Sequence, residues 1–140
     1  MQGRGTPQNP TSRFDRLSYE PDPDLLRDGE SLRDTQVFRD KSRSLVTYND
    51  SPDVGFEASL NPYRGCEHGC IYCYARPTHE YLGLSAGLDF ETRIFAKLEA
   101  RQLLRKELTA SSWKPQTLAM SGVTDPYQPV ERRLQLTRGC

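Results

Sequence analysis

The pattern of apolar and polar positions divides the chain near residue 45. Residues 1–44 are polar and interrupted by Gly, Pro, Asp and Arg, and their few apolar residues follow neither a helical nor a strand period. Such a segment buries too little apolar surface to fold alone, so we predict an extended or disordered amino-terminal arm that behaves as a solvated tail. Residues 45–140 are predicted to form the ordered domain.

Within residues 45–140 the pattern predicts three short extended segments and two helices. Apolar residues at positions 100, 103, 104 and 108 form one face of a helix, and alternation at 56–60 indicates a strand that ends at Asn61-Pro62. Pro129 suits the first turn of the last helix. The predicted strands are 56–60, 90–95 and a buried 117–120, and the predicted helices are 98–110 and 129–138.

The order of these elements is typical of an α/β fold with parallel strands, because each strand is followed by a crossing helix. Ligands of such sheets bind beyond the carboxyl ends of the strands. Two distinctive segments, 66–73 and 121–128, follow predicted strands in that way. We therefore expect them to face each other across one site.

Composition narrows the class of protein. The formal net charge is zero and the mean hydropathy is −0.75, so the totals give no electrostatic signature of nucleic-acid binding and indicate that part of the chain is unfolded. The sequence has neither a run of about twenty apolar residues nor the apolar centre of a signal peptide. We predict a cytoplasmic protein without a membrane partner, in which clustered cysteines favour a metal over a disulfide.

Three of the four cysteines, Cys66, Cys70 and Cys73, fall within eight residues in the spacing C-x3-C-x2-C. Thiolates at these gaps can converge from one loop on an iron–sulfur cluster or on zinc. A closed zinc site needs a fourth ligand, for which His68 and His79 are the candidates, whereas three thiolates on a cube leave one iron open. A cluster is favoured over zinc, and a disulfide is the third alternative.

With Tyr72 before the third cysteine, the motif resembles the signature of the radical S-adenosylmethionine (SAM) superfamily. The segment 70–75 together with 124–129 is similar to the branch that contains spore photoproduct lyase, a DNA-repair lyase. The resemblance implies the amino-terminal portion of a partial (β/α)6 barrel. It also implies a [4Fe–4S] cluster on the three cysteines, whose fourth iron binds SAM and whose electron cleaves it to a 5′-deoxyadenosyl radical.

The resemblance also assigns roles to other residues. Tyr72 would help to position the adenine of SAM, and Tyr72 and Tyr74 would take part in returning a hydrogen atom. The Gly-Gly-Glu motif that receives the amino group of SAM in many members is absent here, and Ser121 and Asp125 are its candidate substitutes. Asp125 equally suits a cap of the following turn or helix.

The implied partners are SAM, an electron donor such as flavodoxin or ferredoxin and, by analogy alone, DNA, with nucleic acid repair or modification as the reaction. The hydrogen-donating cysteine of spore photoproduct lyases has no counterpart near the predicted strand end, which argues against transferring the thymine-dimer reaction itself. The chain would also supply only the first part of such a barrel. A structural zinc module and an inactive fragment of a radical SAM enzyme therefore remain alternatives.

Overall fold

The computed structural model describes residues 4–6 and 35–140, which form a mixed α/β arrangement of two small sheets and several short helices. The six strands are β1 (Gln36–Arg39), β2 (Val46–Tyr48), β3 (Ala58–Leu60), β4 (Tyr63–Arg64), β5 (Arg93–Ala96) and β6 (Leu118–Met120). The helices are a 3-10 helix (Arg76–Leu82), α1 (Leu88–Thr92), α2 (Ala100–Leu108), α3 (Glu131–Leu134) and α4 (Leu136–Gly139).

The first sheet has the strand order β1-β5-β4, with β1 parallel and β4 antiparallel to the central β5. Val37 of β1, Tyr63 of β4 and Ile94 of β5 are almost fully buried in one apolar cluster, which Val130 joins from the segment before α3. The chain on both sides of the cysteines is thereby attached to one packed core.

The second sheet has the order β2-β3-β6, and here β3 and β6 run parallel with α2 between them in the chain. Leu60 of β3 packs with Ala100 and Leu104 on the buried face of α2. The predicted helix and the two predicted strands beside it are thus confirmed in a shortened form. The mixed α/β character and the two parallel pairs bear out the α/β prediction, whereas β2 and β4 run antiparallel to their neighbours.

Three expectations about local structure were wrong. Residues 36–39, assigned to the arm, form β1, because Val37 and Phe38 are buried against β5; residues 7–34 of the arm lie outside the described part. Segment 90–95 is divided between the end of α1 and β5, and β6 is only partly buried because it lies at the edge of its sheet.

The predicted last helix is divided into α3 and α4 at Gln135, whose φ is 50°. A left-handed residue stops a right-handed helix, since the carbonyls before it turn away from the axis. Across residues 4–6 and 35–140, none of the helices has the length and apolar character needed to cross a membrane.

Candidate metal and cofactor site

The cysteines lie in a cleft of about 540 Å³ between two loops. We call residues 65–75, which follow β4, the cysteine loop, and residues 121–128, which follow β6, the facing loop. The cleft is lined by Cys66, His68, Cys70, Cys73, Tyr74 and Ala75 of the first and by residues 121–125 of the second. The prediction that these two motifs face each other across one site is therefore confirmed.

All four cysteines are free thiols, so the alternative of a disulfide is not realised. Cys66 is buried against Ala75 and Phe90, whereas Cys70 and Cys73 are partly exposed to the cleft. Burial raises the pKa of the Cys66 thiol, although the backbone N–H groups of Asp125 and His68 donate to it and oppose that effect. These two amides come one from each loop, so both loops contribute to the surroundings of the Cys66 sulfur.

The three thiols are the donor type that an iron–sulfur cluster uses, and all three line the cleft. In the described residues, no group of three or more His, Cys, Asp or Glu side chains is arranged so that it could hold a metal ion. A four-iron cube presents a different iron to each thiolate, so its ligands need not converge on one point. Soft thiolate donors on one cleft wall are the donor set that such a cube requires.

Asp125 and His68 pair across the mouth of the cleft. The Nε2 atom of His68 lies 3.3 Å from Oδ2 of Asp125, and both side chains are nearly half exposed. The other oxygen of Asp125 accepts a hydrogen bond of 2.7 Å from the backbone N–H of Tyr127, which is the turn-capping role that the sequence left open. Asp125 thus stabilises its own turn and contacts the cysteine loop at once.

The two tyrosines predicted as catalytic differ in their surroundings. The Tyr74 hydroxyl donates a hydrogen bond to the carbonyl oxygen of Gly122 across the cleft, with most of the ring exposed. Tyr72 is 86% exposed and, of the two, only Tyr74 is part of the cleft lining. The structure therefore brings Tyr74 to the three cysteines and leaves Tyr72 on the outer surface of the loop.

Ser121 begins the facing loop with a left-handed backbone, φ 68°, which is unusual for a residue other than glycine. Its N–H donates to the carbonyl of Leu60 at 2.7 Å, extending the pairing of β3 and β6 by one hydrogen bond. The side chain of Asn61 then accepts hydrogen bonds from the N–H groups of Gly122 (3.0 Å) and Val123 (3.2 Å). Ser121 lies at the cleft as predicted, whereas the role of Asn61 was missed.

A second pair that sequence reasoning missed ties the two loops together. Gln128 is fully buried, accepts from the N–H of Glu67 at 3.0 Å and donates to the carbonyl of Gly65 at 3.2 Å. Glu67 in turn accepts from the N–H of Val130 at 2.5 Å. The Gln128 side chain thus bonds the backbone of the cysteine loop, and the Glu67 side chain bonds the backbone just after the facing loop. These hydrogen bonds hold the two sides of the cleft at a fixed separation.

Arg76 holds the carboxyl-terminal half of the cysteine loop. Its guanidinium donates to the carbonyls of Gly69 (2.8 Å) and Cys70 (2.9 Å) and, on its other side, to those of Ala86 (3.1 Å) and Gly87 (2.9 Å). It also lies 5.3 Å from the centre of the Phe90 ring. The only sign of this role in the sequence is a basic residue three positions after Cys73. Nothing in the sequence identifies the four carbonyl groups to which it donates.

One of the two candidate histidines, His79, serves elsewhere in the fold. His79 is fully buried outside the cleft, donates from Nε2 to the carbonyl of Arg93 (3.0 Å) and packs edge-on against Phe90, so it is not placed as a fourth zinc ligand. Burial lowers its pKa to about 4. His68 is the histidine that shares the cleft with the cysteines.

Comparison with known proteins gives relatives but no function. The chain is 48% identical over 84 residues to Uncharacterized protein Mb2609c of Mycobacterium bovis and, equally, to Uncharacterized protein Rv2578c of Mycobacterium tuberculosis. Each match covers 60% of this chain and 25% of the relative. Uncharacterized protein MJ0683 of Methanocaldococcus jannaschii is 24% identical over 103 residues, or 74% of this chain and 36% of the relative.

The chain therefore spans about a quarter of the mycobacterial relatives and about a third of the archaeal one. No protein-family model and no solved structure matches it.

Proposed function

We propose that this chain is part of a radical SAM iron–sulfur protein, in which Cys66, Cys70 and Cys73 hold a [4Fe–4S] cluster. The observation that carries the proposal is the cleft itself, where three thiols of one loop lie opposite the loop that follows a parallel strand. Three thiolates leave one iron of a cube without a protein ligand, which is where an exchangeable cofactor can bind. When bound, the cluster supplies the electron that cleaves SAM to a 5′-deoxyadenosyl radical.

The residues of the chain contribute binding and orientation. Exposed backbone and polar groups of the facing loop, with the Ser121 hydroxyl and the Asp125 carboxylate, would receive the amino group of SAM. Asp125 also lies within 3.3 Å of the His68 ring, so the carboxylate has a polar partner on the cysteine loop. Tyr74 would close the cleft by its hydrogen bond to Gly122 and would be the phenol nearest to the reacting atoms.

The partial barrel, the electron donor and DNA as a partner stay predictions, because the relatives are uncharacterised and are matched over a quarter to a third of their length. Tyr72 also stays a prediction as an adenine contact, since its exposure leaves it free to meet a ligand at the loop surface.

The test is anaerobic reconstitution with iron and sulfide, followed by electron paramagnetic resonance of the reduced protein with and without SAM. A [4Fe–4S] signal that changes on adding SAM supports the proposal. The matched variants are Cys70→Ala, which should lose the cluster, and Cys140→Ala, which removes a thiol outside the cleft and should retain it. Stoichiometric zinc that withstands reconstitution, with no iron bound, would instead establish the structural zinc module with His68 as its histidine.

A further inference from the structure

The carboxylate of Glu91 is a buried acceptor for residues 4–6, which we call the docking segment. Glu91 has no exposed surface, and its Oε2 accepts from the backbone N–H groups of Arg4 (3.1 Å) and Gly5 (2.9 Å). Its Oε1 accepts from the N–H of Thr6 at 3.2 Å. Successive backbone N–H groups that converge in this way form an anion-binding concavity, here filled by a side chain of the same protein.

Two arginine side chains add to the contact between the docking segment and Glu91. The Arg4 side chain donates to the backbone carbonyl of Glu91 at 3.1 Å, and the Arg76 guanidinium lies 3.8 Å from Oε1. A buried carboxylate is costly unless hydrogen bonds and a cation compensate it. Among these partners, in the part of the chain that the structure describes, the three backbone N–H donors to the Glu91 carboxylate all come from the docking segment.

The same contact reaches the cysteine loop through two glycines. A Cβ atom on Gly5 would lie 1.9 Å from the carbonyl oxygen of Gly69 and 2.9 Å from Nη2 of Arg76. A Cβ atom on Gly69, whose φ is 62°, would lie 2.2 Å from Oε2 of Glu91. The approach of Gly5 and Gly69 to each other and to Glu91 is therefore close enough to require glycine at both positions. Because Gly69 directly precedes Cys70, this contact lies next to a cysteine of the cleft.

We propose that residues 4–6 position the cysteine loop by docking on Glu91, so that the backbone at Gly69 and Cys70 is fixed before any metal binds. Gly5 and Glu91 are positioning residues in this scheme, because neither lines the cleft. The amino-terminal segment thereby becomes part of the site through its contact behind the loop. This property belongs to the metal-free chain and goes beyond the proposed function.

The test measures how fast each thiol of the reduced, metal-free, full-length chain reacts with N-ethylmaleimide, resolved by mass spectrometry of the peptides. Gly5→Ala should release the segment and raise the reaction rates of Cys66, Cys70 and Cys73 by on the order of tenfold, because the loop opens more often once its backbone is unrestrained. The matched control is Gly55→Ala, since a Cβ there meets nothing within 4 Å. Cys140, outside the cleft, is the internal reference.

A second variant, Glu91→Gln, keeps the shape of the side chain and removes the charge that the three N–H groups bind. It should raise the same three rates, and the double variant with Gly5→Ala should add little, because both changes break one contact. Unchanged rates in both variants would overturn the proposal. An equal rise at Cys140 would overturn it as well, since that result means general destabilisation. Because no iron is present, failure of the cluster proposal leaves this measurement unaffected.

Discussion

Replacing the buried Gln128 with leucine tests whether the two loops are held by side-chain hydrogen bonds. The substitution keeps most of the volume and leaves the N–H of Glu67 and the carbonyl of Gly65 without their partner. Each buried backbone group that loses its hydrogen bond costs about 1–3 kcal/mol, so the two together should lower the free energy of unfolding by about 2–6 kcal/mol. That is a large share of the roughly 5–15 kcal/mol that stabilises a typical domain.

The assay is urea unfolding followed by circular dichroism, with the midpoint and the slope fitted separately. A shifted midpoint at unchanged slope reports stability alone. The matched control is Gln102→Leu on the exposed side of α2, which should stay within about 0.5 kcal/mol of the parent. A loss below about 1 kcal/mol for Gln128→Leu would refute the reasoning, because it would mean that water or a relaxed backbone satisfies both groups.

Three further predictions concern single residues. Gly65→Ala should destabilise the chain by about 1–3 kcal/mol, because the backbone is left-handed (φ 79°) and a Cβ would lie 2.9 Å from the Phe90 carbonyl; thermal unfolding beside the Gly55→Ala control checks it. His79 is buried as the neutral base with a pKa of about 4, below the 6.5 of an unfolded histidine. The contribution of the neutral ring to the free energy of unfolding is therefore complete above pH 6.5 and is lost as the pH falls towards 4, by at most roughly 3 kcal/mol. An NMR titration in which the His79 ring titrates near 6.5 would contradict this. Tyr74→Phe removes one exposed hydrogen bond to Gly122 and should cost less than about 1.5 kcal/mol in urea unfolding; a larger loss would show that the phenol is mainly structural.

The parts of the fold that sequence predicts are those with a local signal. The apolar face of α2, the alternation before Asn61 and the spacing of the cysteines are each readable within a short window. They were enough to predict a parallel pair and a cleft between the two motifs. The strand β1 was missed because Val37 and Phe38 are isolated apolar residues in a polar segment. They form a strand by pairing with β5, which is distant in the sequence.

The parts that could not be predicted depend on polar contacts between distant residues. Gln128 with Gly65, Asn61 with Gly122 and Glu91 with the docking segment are separated by about 60 to 90 positions. Such pairs produce no periodic pattern in the sequence, because a single polar residue does not indicate whether its side chain is solvated or buried. The sequence therefore predicted which residues form the candidate site, and the structure shows which residues hold its loops together.

The cysteine loop and the facing loop grow from different sheets, since the first follows β4 and the second follows β6. Only Asn61 and Pro62 separate β3 of one sheet from β4 of the other. The cleft therefore lies between one loop from each sheet. A ligand that contacts both walls would therefore link the two sheets, and its binding would add to the free energy of unfolding of the form in which both are folded.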